Sequence, residues 1–342
     1  MPSIKDVAKR ASVSVATVSR VFSNEPHVRP EVRNLVLRVA DELGYRPNRI
    51  ASSLRKRSSR VIGLIIPDIR NPVFVEIARA IEDVANSQNM SIFLCNTDEK
   101  PAKEQMYLET LLDELVAGII LAPTQETIEP FEFILKSRTP IVSVDRRIDG
   151  AVIDCVLSDN VQSTQLLTNQ LIGNGYTHIG AVFGLEHSTT GRERLQGFEA
   201  AMRENNLEID PDFVQFIHPA EVEGEEIVSQ WLRSENCPNA LLTGNSRITL
   251  GAINAVTKAK LSIPNDIALA GFDDATWMPV VGSGITVISQ PTYDIGRTAA
   301  ELLFQRMSDA SRPGREVVLK SKLIVRGSIH PFRSFNGHGD TC

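Results

Sequence analysis

Long apolar runs are the first thing this 342-residue chain lacks. No stretch approaches the roughly 20 consecutive apolar residues of a membrane-spanning helix, so no anchor is expected and a cytoplasmic location follows. Cysteine is scarce. Cys95, Cys155, Cys237 and Cys342 stand far apart, form no CxxC and no Cys/His pair at metal-ligand spacing, and are expected as free thiols. The six histidines are equally scattered, and His178, inside an apolar strand pattern, reads as a core residue. No metal site is expected. Glycine-rich phosphate loops and a GxSxG elbow are absent too. The adjacent Asp273 and Asp274 do not by adjacency make a catalytic dyad. These absences argue against an enzyme and against a bound cofactor.

Basic residues are few overall, giving a net charge of −6, but they are unevenly placed. Residues 1–60 carry 13 Lys and Arg against 5 Asp and Glu, and the remainder 23 against 37. A basic head on an acidic body is the electrostatic footprint of a nucleic-acid reader. A targeting peptide is the alternative, and Asp6, the helical pattern and the missing cleavage site argue against it.

The head reads as helices. Ile4, Val7, Ala8 and Ala11 repeat at helical spacing, with Lys5, Asp6, Lys9 and Arg10 on the other face. Ser12 to Ser14 break the pattern, and Ser14 is placed to cap a second helix from Val15 to about Phe22. Val18, Val21 and Phe22 pack back, which leaves Val15, Ala16, Thr17, Ser19 and Arg20 at its start and outer face. Short side chains and one arginine suit a helix entering a major groove N-terminus first. Pro30 opens a third helix to about Leu43, closed by Gly44. A short helix from Asn48 to Arg55 is expected in the basic linker that follows. There Asn48, Arg49, Ala51 and Arg55 are candidate DNA contacts, and Leu54 is a candidate minor-groove wedge. A plain basic tether is the alternative.

From Val61 the pattern alternates. Apolar runs at 61–66, 90–96, 118–122 and 141–144 are separated by helical segments, and the alternation restarts at Asn160. This predicts an α/β core of two doubly wound subdomains with parallel sheets. Ligands in such sheets sit beyond the carboxyl ends of the strands.

Ile4-Lys-Asp-Val-Ala8, Val13-Ser-Val-Ala-Thr-Val-Ser-Arg20-Val-Phe22, Gly44-Tyr-Arg-Pro-Asn48 and Ala51-Ser-Ser-Leu54 together resemble the LacI/GalR family of transcription regulators, and the likeness extends over residues 3–328. The resemblance implies an all-α helix-turn-helix headpiece at 1–46 and a hinge-helix linker at 47–60. An effector-binding and dimerisation domain of the periplasmic-binding-protein type follows at 61–330, with chain crossings near 159 and 290, and a flexible tail at 331–342. It implies a homodimer that binds a palindromic operator in double-stranded DNA, as a repressor of carbohydrate or sugar-acid metabolism, and is switched by a small effector. Val15, Ala16 and Arg20 would face the major groove, and Leu54 would be the wedge. Arg194 of Arg194-Leu-Gln-Gly-Phe198 would clamp the effector, with Asp273, Asn245, Phe74 and Asp145 as further contacts. Where the family usually has Asp after that asparagine, this chain has Ser246 and Arg247. With Arg146, Arg147 and Arg194 on neighbouring loops, a cationic pocket is expected. It would take a sugar acid of the gluconate or ketogluconate type, with Arg146 and Arg247 as contacts and Trp277 stacking on the ligand or plugging the cleft wall. The alternatives are local pairing of these arginines, which leaves a neutral-sugar or purine site, and a sugar-binding transport protein, which would carry a secretory signal in place of the helix-turn-helix.

Overall fold

Ser3 starts the first helix, and its backbone N–H and hydroxyl both donate to the Asp6 carboxylate, at 2.8 and 2.7 Å. The computed structural model describes residues 2–22, 25–46 and 59–332. The chain divides into two compact units, Met1–Ser59 and Arg60–Cys342. In the first, α1 (Ile4–Arg10), α2 (Val15–Phe22) and α3 (Pro30–Glu42) surround Val7, Val18 and Val36, none of which has any exposure. The Ser14 hydroxyl accepts the Thr17 N–H at 3.0 Å, the cap expected from sequence. Gly44 ends α3 with φ +63°, a conformation that favours glycine. Phe22 meets Tyr45 edge-on at 5.6 Å and closes the unit's rim. The linker helix expected at 48–55 lies outside the described residues.

The second unit holds two six-stranded sheets. β1 (Val61–Ile66), β2 (Ser91–Asn96), β3 (Gly118–Leu121), β4 (Ile141–Val144) and β5 (Asp154–Ser158) join β11 (Glu316–Leu319) in the order β11-β5-β4-β3-β1-β2, all parallel. In the other sheet β6 (Ile179–Phe183), β7 (Val214–Phe216), β8 (Ala240–Thr243), β9 (Ala268–Phe272), β10 (Thr286–Ser289) and β12 (Lys322–Ile324) run in the order β12-β10-β9-β8-β6-β7. Only β12 is antiparallel there. Helices cover both faces of each sheet, so the central strands read as near-continuous apolar runs. In the first subdomain α4 (Pro72–Ser87) and α11 (Thr292–Ser308) cover one face, and α5 (Pro101–Asp113) with the short α6 (Glu132–Leu135) the other. In the second, α7 (Asn160–Gly173) and α8 (Thr189–Glu204) oppose α9 (Glu221–Trp231) and α10 (Ser246–Lys258).

Each of the main helix pairs closes on a glycine. A Cβ at Gly197 would lie 2.3 Å from the Val161 carbonyl oxygen, at Gly251 2.2 Å from that of Glu221, and at Gly296 2.4 Å from that of Ile77. The helices therefore approach backbone to backbone, and the strand ends they flank are held rigidly.

The chain passes between the sheets three times, at 159, at 290–291 and at 320–321. The third crossing adds to the two expected near 159 and 290 and divides the closing segment into β11 and β12. The Asp159 carboxylate accepts the Ser321 N–H at 2.8 Å and the Ser163 hydroxyl at 2.8 Å, and so bends the chain between β11 and β12. Ser158 donates to Gln290, lacing the other two crossings together. Cys95 and Cys155 carry free thiols, whereas Cys237 is disulfide-bonded, against the expectation of free thiols throughout. Among the described residues no helix is long and apolar enough to cross a membrane, and no cluster of side chains is fit to hold a metal ion.

Candidate ligand cleft and nucleic-acid face

The outward face of α2 follows from its inward one. With Val18 and Val21 in the core, Ser14, Val15, Ala16 and Arg20 are exposed, while Thr17 and Ser19 are half-buried at the flank. Arg20 has one loose ion-pair contact, to Glu25 at 3.7 Å with both side chains about half exposed or more, and stays free to meet a phosphate. This is a short, nearly uncharged surface backed by a rigid apolar core. Asn48, Arg49, Ala51, Leu54 and Arg55 lie outside the described residues.

In the second unit the carboxyl ends of the two sheets face each other across a cleft. Six of the eight residues expected at the ligand line it: Phe74, Asp145, Arg146, Arg194, Asn245 and Asp273. Two carboxylates dominate it. Asp145 follows β4 with φ +65°, and Asp273 follows β9 with φ +73°. Left-handed non-glycine residues at matching places in the two sheets turn both carboxylates inward, strain typical of functional sites. Burial pushes the Asp145 carboxyl up to about 6, against the pull of Arg146 and Arg194. Burial raises Asp273 as well, opposed by Arg194 and by the Gln290 amide, which donates to it at 2.5 Å.

Arg194 stands on the second turn of α8. Its Nε donates to Asn160 at 3.0 Å, its Nη1 to the Gly244 carbonyl, and its guanidinium lies 3.8 Å over the Phe272 ring. Nη2 has no protein hydrogen bond among the described residues, so a fixed donor faces the cleft. Asn245 caps α10 through Oδ1, which accepts from Ile248 at 2.8 Å, and Asn71 caps α4 in the same way toward Val73 at 3.1 Å. Each cap leaves the amide nitrogen as a further donor.

The other arginines do not make the cleft cationic, which corrects the sequence expectation. Arg146 is locked to Glu99 by two parallel bonds of 2.8 and 2.6 Å. Arg147 pairs with Glu193 and Glu316, and Arg247 reaches across to Asp68. Arg247 is not among the residues that line the cavity, although its partner Asp68 is. Trp277 does not line the cavity either. It packs into the apolar cluster under α10, since the loop after Asp274 is held down by the Arg326–Asp274 pair. Glu99, Gln290, Ser188 and Thr190 line the cleft and were missed from sequence. Glu99 was findable, because it lies beyond the carboxyl end of β2 as the other loops lie beyond theirs. Gln290 was not, because its place depends on the second crossing.

Comparison with known proteins agrees with both halves of this arrangement. Residues 3–48 match the bacterial regulatory proteins of the lacI family, and residues 59–326 match the periplasmic binding proteins and sugar binding domain of the LacI family. The chain is 34% identical to the HTH-type transcriptional regulator RegA of Clostridium saccharobutylicum, over 95% of this chain and 98% of that one. Its fold is that of the lac repressor dimer bound to operator and an anti-inducer (24% identity, TM-score 0.84, covering 96% of this chain and 99% of that chain). It also resembles a LacI family transcriptional regulator from Enterococcus faecium with bound ribose (26% identity, TM-score 0.72, 80% and 100% covered).

Proposed function

The chain belongs to the LacI family of bacterial regulatory proteins, and we propose that it is a cytoplasmic homodimeric repressor whose cleft takes a neutral, monosaccharide-sized polyol. It is a DNA-binding transcription regulator and not an enzyme. The observation that carries the ligand class is the pairing of Arg146, Arg147 and Arg247 with carboxylates. Among the described residues the Asp145 carboxylate takes no hydrogen bond, Asp273 has lone pairs beyond those held by Gln290 and Ser246, and Arg194, Asn245 and Asn71 keep donors. Hydroxyl groups, which donate and accept at once, complement such a set. An anionic ligand would meet two inward carboxylates. Phe74 at the cleft wall gives an apolar face to a sugar ring.

The homodimer has support from the edge strand β2, which exposes Phe93 and Leu94 at 46% and 44%, more apolar surface than an unpaired edge usually shows. Two headpieces related by a two-fold axis suit a palindromic operator. Ligand binding and operator binding are coupled through closure of the cleft, and the coupling is reciprocal.

The test has two arms. Selection from random duplex DNA followed by fluorescence anisotropy is expected to give a palindromic site whose affinity falls steeply with salt as arginines displace counterions. A thermal-shift panel of neutral sugars, their acids and purines is expected to yield stabilisation by a neutral sugar. Stabilisation by gluconate or ketogluconate alone, or by a purine alone, would overturn the ligand class and leave the regulator standing.

The affinity for that sugar should also depend on pH. The Asp145 carboxylate, with its pKa at about 6, accepts a hydroxyl most strongly when ionised. Affinity is therefore expected to be full above pH 7 and to fall as pH drops through about 6, by up to about tenfold per unit below it. Calorimetric titration across pH 5–8 measures this. Asp145→Asn should bind weakly and lose the slope, and a slope retained in that variant would assign the proton elsewhere.

A further inference from the structure

The two subdomains are joined around the cleft by charged groups of the protein itself. Asp68, beyond β1 of the first subdomain, accepts from Arg247 in the first turn of α10 of the second, with the side chains 11% and 15% exposed. Glu126, beyond β3, has a 4% exposed side chain that accepts the backbone N–H of Thr189 and, at 2.7 Å, the Arg192 guanidinium. Thr189 is the first residue of α8, so Glu126 occupies the positive end of the helix that carries Arg194. Arg147 completes the set: it donates its backbone N–H to the Thr189 hydroxyl at 3.0 Å and its guanidinium to Glu193.

The Asp68–Arg247 and Glu126 bridges lie away from the hinge, whereas Arg147–Glu193 adjoins it through Asn160. The crossings come from β5, β10 and β11, whereas the bridges join the ends of β1 to β8, and of β3 and β4 to β6. Between them the enclosed space measures about 40 Å³, far below the roughly 300–1,000 Å³ of a ligand pocket. With the bridges made, the cleft leaves little room for a sugar.

We propose that the Asp68–Arg247 pair and the Glu126 seat on α8 form a clasp that closes the cleft by the protein's own charges. On this assignment Arg247 and Glu126 are positioning residues for the ligand clamp on α8. The inference rests on the reading of the cleft as the effector site and adds its regulation. Closure precedes ligand, and the ligand's work is to replace or reinforce the clasp. Because each subdomain is a rigid layered body, separation breaks the bridges together. Loss of Arg247 must then loosen contacts at Thr189 and Arg147, whose own partners are untouched.

The backbone amides of Thr189 and Arg147 report this directly, since each donates to an atom of the opposite subdomain. Hydrogen exchange of the full-length protein, without any ligand, is followed in peptides covering 145–150 and 186–192. Arg247→Ala is expected to speed exchange at both amides by about tenfold, and Arg247→Lys to recover most of the protection. Raising sodium chloride from about 0.05 to about 0.5 M should loosen the parent protein in the same direction, because Arg192 and Arg147 are partly exposed and their pairs are screened. Exchange unchanged in Arg247→Ala would overturn the clasp and leave Asp68–Arg247 a local contact. If that variant does not fold, Glu126→Gln gives the same reading at the Arg147 amide, since it keeps an acceptor for Thr189 and removes the charge facing Arg192. No sugar is used, so a failed ligand panel and a failed clasp are separate results.

Discussion

Arg194→Ala is expected to weaken binding of the cleft's ligand about a hundredfold or more while operator binding without ligand persists. The guanidinium is fixed on three sides, by Asn160, the Gly244 carbonyl and the Phe272 ring, so its remaining nitrogen points into the cleft with little freedom left to lose. Truncating one partner of a buried charged hydrogen bond costs about 2–5 kcal/mol, about thirtyfold to several thousandfold in affinity, and the expected hundredfold falls within that range. Two further effects add to it. The Asn160 and Gly244 acceptors lose their donor, and Asp145 and Asp273 lose a positive charge that now opposes their upward shift. Lysine should not rescue, because one ammonium cannot meet both acceptors, lie flat on the ring and still present a donor to the ligand. Calorimetry on both variants measures the effect, with far-UV circular dichroism to confirm the fold. Affinity retained in Arg194→Lys would mean that a point charge suffices and that the fork geometry is unimportant.

What could be read from the residues divides along physical lines. The headpiece helices, the Ser14 cap and the Gly44 stop were legible because each is fixed by neighbours within a few positions. The buried strands β1, β3, β4, β6, β8 and β9 were legible as apolar runs for the same reason. β5, β7 and α9 were not: β5 begins with a buried Asp154 that is neutralised only by the distant Arg306 and Arg315, β7 is three residues long, and α9 is rich in glutamate. The candidate site divides likewise. Strand-end position was enough for Asp145, Asn245 and Asp273. Arg247 was misread because its local surroundings suggest a free guanidinium, and its partner Asp68 is 179 residues away in sequence. Charge counted along a loop does not measure the charge a ligand meets, since pairing is decided by the fold.

Val18→Asp is expected to abolish operator binding while leaving the ligand-induced thermal shift of the core unchanged. Val18 has no exposure and meets Val7 and Val36 in a cluster made almost wholly of valine and alanine. A unit this small has little apolar area to spare. Burying an unpaired carboxylate there, with no cation among the cluster's side chains, costs more than the few kcal/mol by which such a unit is stable. The headpiece should therefore unfold. Because the cores of Met1–Ser59 and Arg60–Cys342 are separate, that loss should not spread to the sheets of the second unit. Calorimetry should show the headpiece transition gone and the core transition kept, still moving upward with the sugar. Val18→Ala separates burial from recognition: the side chain does not face outward, so any loss of affinity should track lost stability and be recovered at lower temperature. If Val18→Asp bound operator normally, α2 would not be the reading helix. Exposed Val15, Ala16 and Arg20 would then need another role.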